Sequence, residues 1–150
     1  MSIEEAIQSN QMDLNTKTVI NILYTSRILE ESGSEILKRF DVTSQQFNVL
    51  RILRGQKGKP ANLSTVQERM IDKSSNTTRL VDKLIKKGYV KRSICKENRR
   101  KVEILITEDG LNLLLEIDPL IENNNTKMLN ALSNNQLQTL NDLLDALRNF

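Results

Sequence analysis

Residues 74–101 read SSNTTRLVDKLIKKGYVKRSICKENRRK, and this stretch decides the fold. Together with Lys73 it holds eleven Lys or Arg against two acids, Asp82 and Glu97. The segment from Lys73 to Lys101 therefore carries +9 while the whole chain carries +3, so the remaining residues sum to −6. Charge gathered in one local block is the electrostatic footprint of a surface that meets a polyanion.

The first half of the stretch has helical periodicity. On a wheel of about 100° per residue, Thr77, Leu80, Val81, Leu84 and Ile85 fall on one side of a helix over residues 76–87. Ser75, Arg79, Asp82 and Lys86 centre the other side, flanked by Asn76 and Lys83. One face suits a core and the other carries donors and positive charge. Asp72 or Ser74 is placed to cap the start, and Gly88 stops the helix as a C′ glycine does. Beyond Gly88 the period changes to two. Val90, Ile94, Val102, Ile104 and Ile106 alternate with polar residues, which predicts two short strands joined by the mostly basic loop Cys95–Lys101. A helix followed by a basic hairpin is the layout of a winged helix-turn-helix.

Working outward, Ser64-Thr-Val-Gln67 is a capping-box pattern that opens a short helix with Val66 and Met70 inward, and Ile71–Lys73 forms the turn into the basic helix. Thr43-Ser-Gln-Gln46 predicts a helix through about Arg54, with Phe47, Leu50 and Leu53 on its core face; GQKGKP over residues 55–60 then breaks the chain direction. Residues 16–40 read as a long helix carrying Val19, Ile20, Leu23, Ile28, Leu29, Ile36, Leu37 and Phe40. Gly33 inside it costs about 1 kcal/mol against alanine and marks a place for a bend. Residues 1–15 are polar, an arm or a short helix.

On the other side of the hairpin, Thr107 caps a helix whose first turn holds Glu108 and Asp109, where the helix dipole favours acids. Leu111, Leu114, Leu115 and Ile117 follow, and Pro119 should kink or break the helix because it lacks an amide proton and clashes with the preceding turn. Leu120, Ile121, Met128 and Leu129 suggest that it resumes. Ser133-Asn-Asn-Gln136 is a third capping box, and the last helix carries a seam-like stripe of Leu137, Leu140, Leu144 and Leu147.

The motifs now on the page, Leu63-Ser-Thr-Val-Gln-Glu-Arg-Met70, Thr78-Arg-Leu-Val-Asp-Lys-Leu84, Lys87-Gly-Tyr-Val90, Asn98-Arg-Arg100 and Ile106-Thr-Glu-Asp-Gly110, together resemble the MarR family of bacterial winged-helix transcription regulators over nearly the whole chain. The resemblance implies a mainly α fold with a small β-hairpin wing, a winged helix-turn-helix flanked by N- and C-terminal dimerisation helices. It implies a homodimer held by its terminal helices and bound to a pseudo-palindromic operator, usually as a repressor. In many relatives a small phenolic or lipophilic compound, bound between the DNA-binding lobe and the dimer interface, releases the DNA. The family's wing presents an acid two residues before its arginine; here Asn98 holds that place before Arg100, with Glu97 beside it.

In a helix-turn-helix the N-terminal half of the second helix enters the major groove. Ser74, Ser75, Asn76, Thr78, Arg79 and Lys83 are the candidates on that helix. Arginine can grip guanine through two acceptors and asparagine can do likewise for adenine. Thr78 lies off the centre of the polar face, which favours a phosphate contact, and Asp82 would repel phosphate unless a basic neighbour holds it. Lys96, Arg99, Arg100 and Lys101 gather at the hairpin tip, where a wing can reach a narrow minor groove. Two recognition helices one helical turn apart, about 34 Å, require a partner related by twofold symmetry. The expected division is residues 1–40 as an N-terminal arm and dimerisation helix, 41–107 as the DNA-binding domain and 108–150 as C-terminal dimerisation helices.

Other function classes find little here. The chain has no histidine, which removes the commonest general base and transition-metal ligand. It also lacks a glycine-rich phosphate loop and a metal-ligand cluster, so no enzyme, cofactor or metal is expected. The single cysteine, Cys95, forms no internal disulfide and reads as a small strand-end residue. Met12, Met70 and Met128 read as core filling, and Tyr24 as interface packing. No apolar stretch approaches the ~20 residues of a membrane span, and the N-terminus shows no basic n-region with an apolar run, so no signal peptide is expected and a cytoplasmic location is expected. The second reading is a winged-helix interaction module that sets the basic helix against an acidic protein.

Overall fold

Seven helices and one antiparallel hairpin make up the chain in a computed structural model that describes residues 1–150. The short N-terminal segment is a helix, α1 (Ile3–Ile7), closed by a capping box between Ser2 and Glu5. Helix α2 (Leu14–Lys38) is capped by Asp13 and runs through Gly33 without a break. Helix α3 (Ser44–Gly55) starts at the predicted box, in which Thr43 and Gln46 satisfy each other's backbone amides.

The next two helices start differently from the sequence expectation. Helix α4 (Leu63–Arg69) is capped by Asn62, whose Oδ1 accepts from the Thr65 amide at 2.8 Å. Ser64 is not the cap; its hydroxyl donates to the same Oδ1. Helix α5 (Thr77–Lys86) is capped by Asn76, whose Oδ1 accepts from the Arg79 amide at 3.1 Å. Neither Asp72 nor Ser74 caps it, because they bind each other: Ser74 donates to Asp72 Oδ1 through its amide at 2.9 Å and its hydroxyl at 2.6 Å. Gly88, at φ +81°, ends α5 as predicted, and the Tyr89 amide donates back to the Leu84 carbonyl at 3.0 Å.

Strands β1 (Val90–Ile94) and β2 (Val102–Ile106) pair with Val90 opposite Ile106, Arg92 opposite Ile104 and Ile94 opposite Val102. Ala61 exchanges both backbone hydrogen bonds with Ile104, at 3.0 and 2.7 Å, and so ties the approach to α4 onto β2. Helix α6 (Glu108–Met128) passes through Pro119 as one helix. Tertiary packing overrides the proline here: Leu113, Leu114 and Ile117 are buried just before it, and Asp118 takes a two-pronged ion pair from Arg54 of α3 at 2.5 and 3.4 Å. Helix α7 (Asn134–Leu147) follows the Ser133–Gln136 box.

The core is a cluster of sixteen residues drawn from Leu37 to Ile117, with Leu50, Val66, Val81, Leu84, Ile104 and Leu114 at its centre. Burying each such aliphatic side chain contributes about 1.5–3 kcal/mol. This cluster fixes α5 and the hairpin against α3, α4 and α6. The outer helices are different. Apolar side chains stand in solvent along α2 (Leu14, Val19, Leu23, Ile28, Leu29), α6 (Leu111, Leu115, Leu120) and α7 (Leu140, Leu143, Leu147), and α7 buries no residue at all.

Candidate nucleic-acid interface

The turn between α4 and α5 is braced by side chains that sequence patterning does not reveal. Gln67 Nε2 donates to the Lys73 carbonyl at 3.0 Å, while its Oε1 accepts from the buried Thr77 hydroxyl. Asn48 Oδ1 accepts from the Ile71 amide at 2.8 Å. These contacts hold the first turn of α5 at a fixed angle to α4, with Thr77, Val81 and Leu84 packed inward.

The outward face carries the charge. Of the eleven cations between Lys73 and Lys101, three are engaged within the chain: Lys73 with the Glu68 carbonyl, Lys87 with Asp41, and Arg92 with Asp82. The other eight, Arg79, Lys83, Lys86, Lys91, Lys96, Arg99, Arg100 and Lys101, are exposed and make no side-chain hydrogen bond or ion pair. An ordinary solvated helix face would pair Arg79 or Lys83 with the carboxylate beside them. Asp82 instead receives Arg92 of β1 at 3.2 Å, which neutralises the acid on the outer face of α5 and joins that helix to the wing.

The structure sorts the sequence candidates by position. Asn76, Thr78, Arg79 and Lys83 lie exposed at or beyond the start of α5. Ser74 and Ser75 precede the helix and sit in the turn, contrary to their expected place on it; the Ser74 hydroxyl is spent on Asp72 and the Ser75 hydroxyl is buried without a partner. Bonds from Ser74, and a weaker one from Gln45, hold the Asp72 carboxyl below its ordinary pKa. Gln45 at the start of α3, the turn and the outer face of α5 enclose an open cleft of about 240 Å³ that Asn76, Arg79 and Lys83 line. Sequence reasoning did not single out Gln45, because nothing in its local pattern announces a neighbour on α5. Lys86, which the helix wheel puts on the polar face, and Lys91 are not among the sequence candidates, although they belong to the same basic block.

At the wing, Lys96, Arg99, Arg100 and Lys101 all stand exposed between the strands. Asn98 closes the tip: its Oδ1 accepts from the Arg100 amide at 3.1 Å and its carbonyl accepts from the Lys101 amide at 2.9 Å. An asparagine-based turn therefore shapes this loop, and Glu97 joins no ion pair. Cys95 is a half-buried free thiol at the end of β1. Met70 is core, as expected, and Tyr24 lies partly exposed on α2. No group of three or more His, Cys, Asp or Glu side chains is arranged to hold a metal ion, and no helix is long and apolar enough to cross a membrane.

The geometry is that of a winged helix-turn-helix with a cationic second helix and wing, the fold of a DNA-binding transcription regulator. Comparison with known proteins gives the family. The MarR family model matches residues 42–102. The chain is 32% identical over 114 residues to the transcriptional regulator SarZ of Staphylococcus haemolyticus, covering 75% of this chain and 71% of that protein. Other curated transcriptional regulators are matched over 50–67% of their own length. A MarR transcription factor from Planctomyces limnophilus superposes with a TM-score of 0.70 at 27% identity, over 91% of this chain and 99% of that one. The organohalide-sensing regulator RdhR, solved in a 2,4-dichlorophenol-bound form, has the same fold, with a TM-score of 0.84 at 17% identity over 93% and 82% of the two chains. The chain belongs to the MarR family and is a DNA-binding transcriptional regulator.

Proposed function

We propose that this regulator binds a pseudo-palindromic duplex operator as a homodimer in the cytoplasm, with α5 in the major groove and the wing at the adjacent minor groove. The observation that carries the reading is the set of eight exposed, unpaired cations gathered on α5 and the hairpin. Releasing counterions from as many phosphates would make binding steeply dependent on salt. Arg79 and Asn76 are the base-reading candidates. Thr78 and Lys83 face the backbone, Ser74 and Ser75 shape the turn before α5 rather than offering their hydroxyls to it, and Lys96, Arg99, Arg100 and Lys101 serve the wing.

The dimer reading rests on the apolar rows left in solvent on α2, α6 and α7. Leu23, Leu115 and Leu143 are 60, 68 and 64% exposed, and rows of exposed large apolar side chains are what an interface buries. In this division residues 1–40 and 108–150 supply the dimer contacts and 41–107 the DNA contacts. Repression follows if the operator overlaps a promoter. Release by a small phenolic or lipophilic compound is the regulatory mode that the 2,4-dichlorophenol-bound relative suggests.

The test is selection of duplexes from a randomised pool, followed by anisotropy at about 150 mM salt with native protein and Arg79→Ala. Specific binding predicts an enriched palindrome, and a loss of about 1–3 kcal/mol on the operator for the variant. Operator affinity no better than random, with Arg79→Ala indifferent, would instead favour an acidic protein as the partner.

A further inference from the structure

Asn76 has two tasks at one position. Its Oδ1 accepts from the Arg79 amide at 3.1 Å and so caps α5. That bond fixes which way the amide is turned, because the opposite orientation would set its NH2 group against the Arg79 N–H. Nδ2 is then the outward atom, in an exposed residue, and it finds no acceptor within the chain. On the helix wheel Arg79 and Lys83 lie within about 60° of Asn76, and all three line the open cleft beside α5.

We propose that Asn76 is a specificity-determining residue that reads its base as a hydrogen-bond donor only, with Nδ2, while Oδ1 stays on the helix cap. The proposal rests on the reading that α5 enters the major groove. An unconstrained asparagine grips adenine by donating to N7 and accepting from N6. Here that grip requires Oδ1 to leave the Arg79 amide or to share itself between two donors. A donor-only Asn76 is satisfied by guanine O6 or N7, adenine N7 or thymine O4. It is refused by cytosine, whose major-groove group is itself a donor. One position in each half-site should therefore exclude cytosine, with no special demand for adenine.

The test compares sequence selection from a randomised duplex pool by native full-length protein, Asn76→Ser and Asn76→Asp, with melting temperatures measured alongside. Serine and aspartate both keep a cap, so neither variant should melt appreciably below the native protein. Serine lacks the reach of Nδ2, and with it the exclusion of cytosine should relax at that position alone. The ratio of operator to random-duplex affinity should fall on the order of ten-fold. Aspartate offers an acceptor to the cytosine amine and should turn the preference toward cytosine at the same position; random-duplex affinity measures the effect of its added charge. Unchanged selection by both variants overturns the inference and leaves DNA binding by α5 intact. A strict adenine requirement in the native motif also overturns it. If the native protein enriches no sequence at all, the groove reading and this inference fall together.

Discussion

Gly110 lies so close to the Tyr89 carbonyl that a Cβ added to it would sit 2.4 Å from that oxygen and 2.7 Å from Ile106 Cγ1. The contact locks the end of α5 to the start of α6. Thr107 completes it: its hydroxyl accepts from the Gly110 amide at 3.1 Å and donates to the Gly88 carbonyl at 2.7 Å, while its own amide donates to Tyr89 at 3.0 Å. The KGYV and ITEDG segments are therefore two halves of one joint at the base of the wing. Gly110→Ala meets backbone and cannot be relieved by turning a side chain, so it should destabilise the protein by about 1–3 kcal/mol. Gly33→Ala, with nothing within 4 Å of the new methyl, should be neutral or stabilising by up to about 1 kcal/mol. Urea unfolding of the two variants checks the contrast, and equal destabilisation would count against the joint.

The Asp82–Arg92 pair sets the charge of the recognition surface. Both side chains are close to half exposed, so the pair itself adds at most about 1 kcal/mol to stability. Its larger effect is on DNA. Asp82→Asn removes the acid from the outer face of α5 and frees Arg92, which should raise affinity for random duplex and lower the ratio of specific to random binding. Arg92→Ala leaves Asp82 facing phosphate and should weaken both. Anisotropy titrations with operator and random duplex distinguish these outcomes from a silent surface pair, for which neither variant changes binding.

Much of this was legible beforehand, for identifiable reasons. The alternation from Val90 to Ile106 and the glycine at position 88 depend on local rules, and both held. So did the boxes at Thr43 and Ser133. The errors arose where two local rules competed or a distant contact decided. Asn62 and Asn76 capped ahead of Ser64 and Ser74 because each reaches the third amide of its helix. Pro119 stayed within α6 because buried Ile117 and the Arg54–Asp118 pair hold the turn that the missing hydrogen bond would have closed. Arg92 was counted as one more cation, and only the register of the hairpin places it on the α5 side.

Asp72 gives the turn before α5 a defined acid sensitivity. Ser74 hydrogen bonds favour its charged form and lower its pKa in the folded protein. A depressed carboxyl contributes stability that is present above its unfolded value, about 3.9, and lost as pH falls through the folded one. The turn should therefore keep its geometry at neutral pH and loosen only below about pH 4. Carboxyl-carbon NMR titration should give Asp72 a midpoint below that of an unstructured aspartate, and Ser74→Ala should move it back up. A native midpoint at the ordinary value would remove this role.

At the wing, arginines that neutralise phosphate can be told from those that merely solubilise a strand edge. Each lost phosphate contact should reduce the slope of log K against log salt by about 0.9. Arg99→Ala and Arg100→Ala are each expected to flatten the slope by up to that amount, twice over in a symmetric dimer, with little change in melting temperature because neither side chain has a partner in the chain. Asn98→Ala should act by another route, loosening the tip and lowering affinity while preserving the cation count and hence most of the slope. Parallel salt lines for native and arginine variants would assign the wing cations to solubility alone.

The apolar rows on the outer helices carry the last prediction. Leu143 is 64% exposed on a helix that buries nothing of its own, so Leu143→Lys should leave the sixteen-residue core intact. If α7 meets a second copy, the substitution places two charges in a desolvated contact and should shift the protein toward monomer, with stability becoming more dependent on concentration. Operator affinity should then fall much further than affinity for random duplex, because only a dimer spans two half-sites about one helical turn apart. Sedimentation velocity with paired DNA titrations reads both effects. A native chain that sediments as a monomer at micromolar concentration would overturn the dimer reading, whereas a Leu143→Lys dimer indistinguishable from native would remove α7 from the interface and require the twofold partner to dock through α2 and α6.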